Sequence, residues 1–128
     1  MPITLNTTLK NTLLDGIDAV FNSGTCVLYG AAPTGAGNAA PASVLATITL
    51  NADSFVAASA GSKAKNGTWS ATATGTGTAQ SFRLINSGAT QVLEGTVTVT
   101  GGGGDITLDN TSINSGQTVT IATFSLTS

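Results

Sequence analysis

Ten side chains in this 128-residue sequence carry a formal charge at neutral pH, and histidine is absent. An imidazole base, a Ser-His-Asp relay and a histidine-held metal are therefore closed to it. The single thiol, Cys26, excludes a thiolate cluster and an internal disulfide. Within the apolar run Cys26-Val27-Leu28-Tyr29 it reads as a buried, inert side chain. Asp105 and Asp109 fall near one another and share a solvent-facing side with Thr107, so with Asn110 they could offer oxygens to calcium. Calcium takes about six to eight oxygens, however, and this spacing is not an EF-hand loop. The glycine run Gly101–Gly104 lacks the Lys-Ser/Thr that ends a phosphate-binding loop; Asp105 and a strand follow it, which reads as a flexible connection. Nothing positive supports a carboxylate pair for glycoside hydrolysis. No catalytic residue, cofactor or metal ligand is assigned, and an enzyme is not expected.

Two further side chains have a binding reading beside a bland one. Trp69, the lone tryptophan, reads as a core anchor; sugar stacking is the rival, and no second aromatic or acidic partner follows it. Lys63 and Lys65 sit in Ala60–Asn66, where they read as a solvated loop tip, with contact to an acidic protein surface as the alternative. Four scattered cations and a net charge of −2 offer no basic patch, so nucleic acid is not an expected partner. No apolar tract reaches the roughly 18 residues needed to span a bilayer, so no membrane is expected either. No secretory signal pattern is visible, and folding in a reducing cytoplasm is the simplest inference.

The elements that must carry these residues are mostly strands. Gln80–Thr100 is the strongest signal: two alternating runs flank the turn cluster Asn86-Ser87-Gly88 as in a β-hairpin. A four-residue loop, Asn86 to Ala89, sets Ile85 opposite Thr90 and Phe82 opposite Leu93. Phe82, Leu84, Leu93, Val97 and Val99 then share the buried face, with Gly95 among them. A one-residue slip would lose that face. Arg83 and Glu94 are left outside as a diagonal pair, contributing about 0.2–1 kcal/mol when exposed. Thr25–Gly30 is a strand. Val44–Leu50 alternates with Val44, Ala46, Ile48 and Leu50 inward. A short strand is expected in Ser54–Ala58, and Thr68–Thr74 turns Trp69, Ala71 and Ala73 inward. Ile106 and Leu108 point inward from another short strand. Thr118–Thr127 changes parity, which implies a bulge near Ala122-Thr123.

Ahead of the strands, Leu9, Leu13, Ile17, Val20 and Phe21 recur at helical spacing from Thr7 to Asn22. Asn6 or Thr7 can cap the start, and Gly24 can end it in a left-handed turn. Lys10, Asp15 and Asp18 lie off the apolar stripe and read as solvating charges. The helix either packs on the sheet or serves as an arm on a neighbouring subunit; internal burial of the stripe is favoured. Ala31–Ser43 is small, uncharged and contains Pro33 and Pro41, a surface loop suited to lying along another protein.

These elements predict an all-β, jelly-roll-like β-sandwich with one N-terminal α-helix: a helical segment over 1–24 and a single sandwich domain over 25–128. Charged residues make up only 8% of the chain, which is unusual for a free monomer because charge normally keeps a surface soluble and unpaired. Life inside an assembly is expected.

The opening MPITLNTTLKNTLLDGIDAVFNSG, the strand CVLYG with its small-residue loop, and the closing LDNTSINSGQTVTIATFSLTS resemble the capsid cement (head-decoration) proteins of tailed bacteriophages. The resemblance covers most of the chain through compositional motifs. It implies a structural virion protein with a jelly-roll body, bound outside the capsid and bracing adjacent capsomers. The implied partners are the major capsid protein and other copies of itself, as a homo-oligomer such as a dimer or trimer. No catalytic residues come with the resemblance. A tail or neck structural protein and a carbohydrate-binding or adhesin module are the alternatives. The expected contact elements are the helix Thr7–Asn22 and the loops Ala31–Ser43 and Ala60–Asn66.

Overall fold

The computed structural model describes residues 3–121 and 123–127, the last of these by its backbone alone. One helix, α1 (Thr7–Phe21), precedes an otherwise β chain. Five strands form the main sheet in the order β2 (Val44–Thr49), β1 (Thr25–Tyr29), β6 (Ser81–Ile85), β7 (Val92–Val99), β8 (Ile106–Leu108). Three two-stranded ladders complete the body. β4 (Trp69–Thr72) pairs with β10 (Thr118–Ile121), β3 (Ser62–Ala64) with β11 (Ser125–Thr127), and β5 (Gly77–Thr78) with β9 (Ser112–Ile113). The main sheet curls, and its β2 edge is tied to the end of β4 where the Thr74 and Gly75 amides both donate to the Leu45 carbonyl. The fold is thus mostly β with one helix and a curled sheet.

Inside the curl the apolar side chains meet around four aromatic rings. Trp69 lies 5.6 Å from Phe55 and 5.5 Å from Phe124, and Phe124 lies 5.6 Å from Phe82, centroid to centroid. Such pairs add about 0.5–1.5 kcal/mol each beyond their buried area. Cys26, Leu28, Ile48, Leu84, Ile106 and Ile121 fill the space around them. β1 is buried on both faces, which is why its sequence is a continuous apolar run and not an alternating one. Trp69 and Ala73 point inward as expected.

The hairpin exists with a different register. Ile85 pairs with Val92, Leu84 with Leu93 and Phe82 with Gly95, so the connection is two residues longer than expected. Asn86 causes this. Its side-chain oxygen accepts from the Thr90 and Gln91 amides at 2.7 and 2.9 Å, which closes the turn without strand pairing at Thr90. A shift of two preserves side-chain parity, so Phe82, Leu84 and Val97 stay buried. Gly95 then lies beneath the Phe82 ring: a Cβ there would come 2.6 Å from the ring edge and 2.7 Å from an Asp105 oxygen. Val99 is a correction, since it is 48% exposed beyond the hairpin.

The main sheet brings three more corrections. A bulge between Leu28 and Tyr29 pairs Tyr29 with Val44 and leaves Leu45 over, so Leu45 is buried and Val44 turns outward. Phe55 contributes a single bridge to Lys65 and not a strand. The run Gly101–Gly104 is a wound loop and not a loose connection. It returns the chain so that β8 runs parallel to β7, with Gly101 and Gly103 at positive φ. Gly102 and Gly104 press against Thr98, whose hydroxyl accepts from the Gly104 amide at 3.0 Å. At the C-terminal end the parity change falls between β10 and β11, which pair with different partners; Ala122 of the expected bulge lies outside the described residues.

α1 begins where Asn6 accepts from the Leu9 amide at 2.9 Å. It buries Leu14 and Phe21 and half-buries Ile17 and Val20, whereas Leu9 and Leu13 of the expected stripe are exposed. The left-handed residue after it is Ser23 and not Gly24. Gly24 is needed for close approach instead, because a Cβ there would collide with the Ile85 carbonyl oxygen.

Candidate functional site

Two polar centres, built from five of the chain's ten charged side chains, hold the elements expected to make contacts. The first lies on the outer face of the main sheet. Arg83 of β6 stands directly opposite Glu94 of β7, and its Nε donates to Glu94 Oε2 at 2.8 Å. Their side chains are only 6% and 5% exposed. This corrects the expected exposed diagonal pair. What buries the pair is Ala31–Ser43. One guanidinium nitrogen shares its two N–H groups among the carbonyls of Gly35, Asn38 and Ala39 at 3.0–3.2 Å and the Thr34 hydroxyl at 3.3 Å. Glu94 Oε1 accepts from the Gly35 amide at 2.6 Å. Burial pushes the Glu94 carboxyl up, but the Arg83 bond, the Gly35 amide and the guanidinium charge outweigh it and hold the group below its ordinary range.

A clamp of this kind suits the sequence of the loop. Ala31–Ser43 has no charge and few side-chain donors, so its carbonyls need donors from elsewhere. Arg83 supplies them from one nitrogen while its Nε holds Glu94, two directions fixed in one plane that a lysine cannot reproduce. Thr34 and Asn38 add bonds within the loop, and the Ser81 hydroxyl donates to the Ala31 carbonyl at 2.7 Å. Pro41 is buried while Ala32–Ala40 face solvent. The loop is a pinned, uncharged surface.

The second centre lies beneath α1. Lys63 of β3 is fully buried, against the expectation of a solvated tip. Its Nζ donates to Asp15 Oδ1 at 2.7 Å and to the Val56 carbonyl at 2.9 Å, with Asp18 Oδ2 at 3.1 Å. Asp15 also accepts from the Ala58 amide, Asn11 from the Gly61 amide, and Asn22 from the Ser54 amide. The helix charges therefore fasten α1 to Ser54–Ala64 and do not solvate a free face. The Lys63 hydrogen bond, then the Ala58 amide, lower the Asp15 carboxyl. Burial works against the Lys63 ammonium, yet its two carboxylate bonds raise it overall. Lys65 is more open and donates to the Gly67 carbonyl at 2.8 Å.

The sequence held signals for both centres. Asp15 and Asp18, three residues apart, occupy one helix face beside Asn11 and Asn22, a polar stripe that calls for a cation. Arg83 stands between Phe82 and Leu84 in a strand whose outer face needed cover.

The remaining sequence candidates are dispersed. An Asp105 oxygen accepts from the Thr96 amide at 3.0 Å, while Asp109 is within 3.4 Å of the Thr100 hydroxyl, so each serves the wound loop. Among the described residues no three His, Cys, Asp or Glu side chains gather as metal ligands. Trp69 is fully buried and presents no ring face for a sugar. Burial pushes the Cys26 thiol up to about 12, so it carries no reactive thiolate at neutral pH. A cleft of about 430 Å³ between β8 and β10 is lined by Thr107, Asp109, Asn110, Gln117 and Thr120 and by the apolar Leu108, Ile113 and Val119. It has neither an aromatic platform nor a cation. No helix among the described residues is long and apolar enough to cross a membrane. Comparison with protein-family models, with curated proteins and with solved structures yields no match to this chain.

Proposed function

We propose that the chain is a structural virion protein, a capsid cement protein that binds the outside of a tailed-phage shell and stabilises contacts between capsomers. Its body in this reading is a jelly-roll-like sandwich, its partners are the major capsid protein and further copies of itself, and its role is not enzymatic. The observation that carries the reading is the use of charge. Arg83, Glu94, Lys63, Asp15 and Asp18 are spent on rigidifying one surface loop and one surface helix. Pre-ordering a contact loop removes an entropy cost at the moment of binding. A Thr- and Ala-rich surface with few charges suits a partner that is itself a broad protein surface. Many copies on a repeating shell then act together, so a modest single contact suffices. The full burial of Trp69 speaks against the carbohydrate-binding alternative.

The test is particle composition. The cement reading expects the protein in purified particles at a fixed ratio to the major shell protein, on heads as well as on whole virions. Recovery only with tails would replace it by the tail or neck reading.

A further inference from the structure

Asn66 is the one asparagine in the sequence that glycine follows. Such a pair is chemically labile, because an asparagine Cγ and the nitrogen of the next residue can close a five-membered ring, and glycine has no Cβ to crowd the closure. The local structure leaves the reacting groups open. Asn66 is half-buried, and Gly67 is exposed with φ at 75°. Among the described residues neither the Gly67 amide nor the Asn66 side-chain oxygen makes a hydrogen bond. The comparable pair Asp15-Gly16 is closed. The helix holds its backbone, while Lys63 and the Ala58 amide hold the Asp15 carboxylate. Gly67 is also fixed by the fold, since a Cβ there would collide with the Asn51 side chain.

Asn66 belongs to a knot of hydrogen bonds at the end of α1. Its Nδ2 donates to the Asp53 carbonyl at 3.1 Å and lies 3.4 Å from an Asp53 carboxylate oxygen. Its backbone amide donates to the Ser54 carbonyl at 2.7 Å. Ser54 is fully buried; its amide donates to Asn22 Oδ1 at 3.0 Å and its hydroxyl to the Asn51 carbonyl at 2.6 Å. That carbonyl accepts from the Ser23 amide as well, at 2.9 Å. Residues 51–54 and 66 therefore hold Asn22 and Ser23, where the helix ends.

We propose that Asn66 is a self-modification site whose product loosens this knot. The Gly67 nitrogen gives up its proton to solvent and bonds to Asn66 Cγ. The Cγ–Nδ2 bond breaks, and Nδ2 takes up protons from solvent and leaves as ammonia. Water then opens the cyclic imide. Opening at one carbonyl leaves aspartate; opening at the other leaves isoaspartate, with the backbone routed through the side-chain carbon. In sum an amide and a water become a carboxylic acid and ammonia, with no change of oxidation state. Either product turns the donor that faces Asp53 into an ionised acceptor, so acceptor meets acceptor and like charge meets like charge. Isoaspartate also adds a backbone carbon next to the Ser54 bond. Loss of ammonia is one-way, so the hold on the end of α1 weakens as the protein ages, while the Lys63 latch is untouched. The inference concerns the chain alone and stands independently of any shell.

Ageing the full chain in warm, mildly alkaline buffer tests it, with peptide mapping by mass spectrometry and detection of isoaspartate. The acid form should build up at Asn66 ahead of every other asparagine, with isoaspartate the larger share. Modified chains, separated by anion exchange, should exchange the Ser54 and Ser23 amides about tenfold faster than unmodified chains, with the β6 amides unchanged. Asn66→Gln keeps an amide but would have to close a six-membered ring, so this variant should not age at the site. Asn66→Asp supplies the charge without the extra backbone carbon and should speed Ser54 exchange by a smaller factor. Reaction at another asparagine first, Asn66→Gln chains that acidify as fast as the wild type, or modified chains whose Ser54 and Ser23 amides stay as protected as before would overturn the proposal.

Discussion

Arg83 concentrates more of this protein's design than any other side chain. One guanidinium satisfies a carboxylate, three carbonyls and a hydroxyl, in a position closed to water. Removing it alone leaves Glu94 buried without its cation. Arg83→Met is therefore expected to cost about 3–5 kcal/mol in denaturant unfolding. Arg83→Met combined with Glu94→Gln should recover much of that loss while leaving the loop carbonyls without their donor. Amide exchange over residues 32–40 should then be fast in a chain that still unfolds cooperatively. If the double variant keeps slow exchange there, the clamp is not what orders the loop. The signal at Arg83, a charge between Phe82 and Leu84, was weak in the sequence, because a charged pair on an alternating hairpin has exposure as its ordinary reading. What changes that reading is the loop 31–43 lying over the pair, a contact some fifty residues away in the chain.

At the scale of elements, the sequence was most legible where side-chain period and burial coincide. The helix, the strands around Cys26–Tyr29 and Phe82–Leu84, and the inward Trp69 all follow from local pattern. Register was less legible, since a slip of two residues keeps every face and only the Asn86 side chain decides it. Lys63 was least legible: its partners come from a helix 48 residues away, and a lysine among small residues otherwise reads as solvated. The latch it forms has a pH signature. Asp15 is held below its ordinary value, so its contribution is complete above about pH 5 and is lost as pH falls through the lowered value. Lys63 is raised, so its contribution is complete below about pH 10 and is lost as pH climbs through the raised value. Protection of the α1 amides should therefore be level between those limits and fall at either end. Lys63→Met should flatten both arms of the profile. Equal pH dependence in the wild type and Lys63→Met would mean that α1 is held by its apolar side alone. Gly95→Ala belongs to this scale as well. The methyl would meet the Phe82 ring and Asp105, and a cost of about 1–3 kcal/mol in unfolding free energy is expected. An unchanged midpoint would show that the ring is free to shift.

Taken whole, the molecule closes Lys63, Arg83 and Glu94 away from water and leaves Asp53, Asp105 and Asp109 exposed on a surface otherwise rich in Thr, Ala and Gly. In the proposed reading, the pinned loop Ala31–Ser43 is the surface prepared for assembly. The sequence made the assembly reading accessible through composition alone. It did not show that the helix carboxylates and Lys63 form a latch, because that rests on contacts between α1 and Ser54–Ala64, far apart in the chain. Binding to shells tests the account most directly. Purified protein should be added to heads that lack it, and bound copies counted after sedimentation. The account predicts saturation at a fixed whole-number ratio to capsomers, raised resistance of the shells to heat, and clear loss of binding in the folded Arg83→Met, Glu94→Gln variant. Binding that fails to saturate, or a folded double variant that binds and stabilises shells as well as the wild type does, would contradict it.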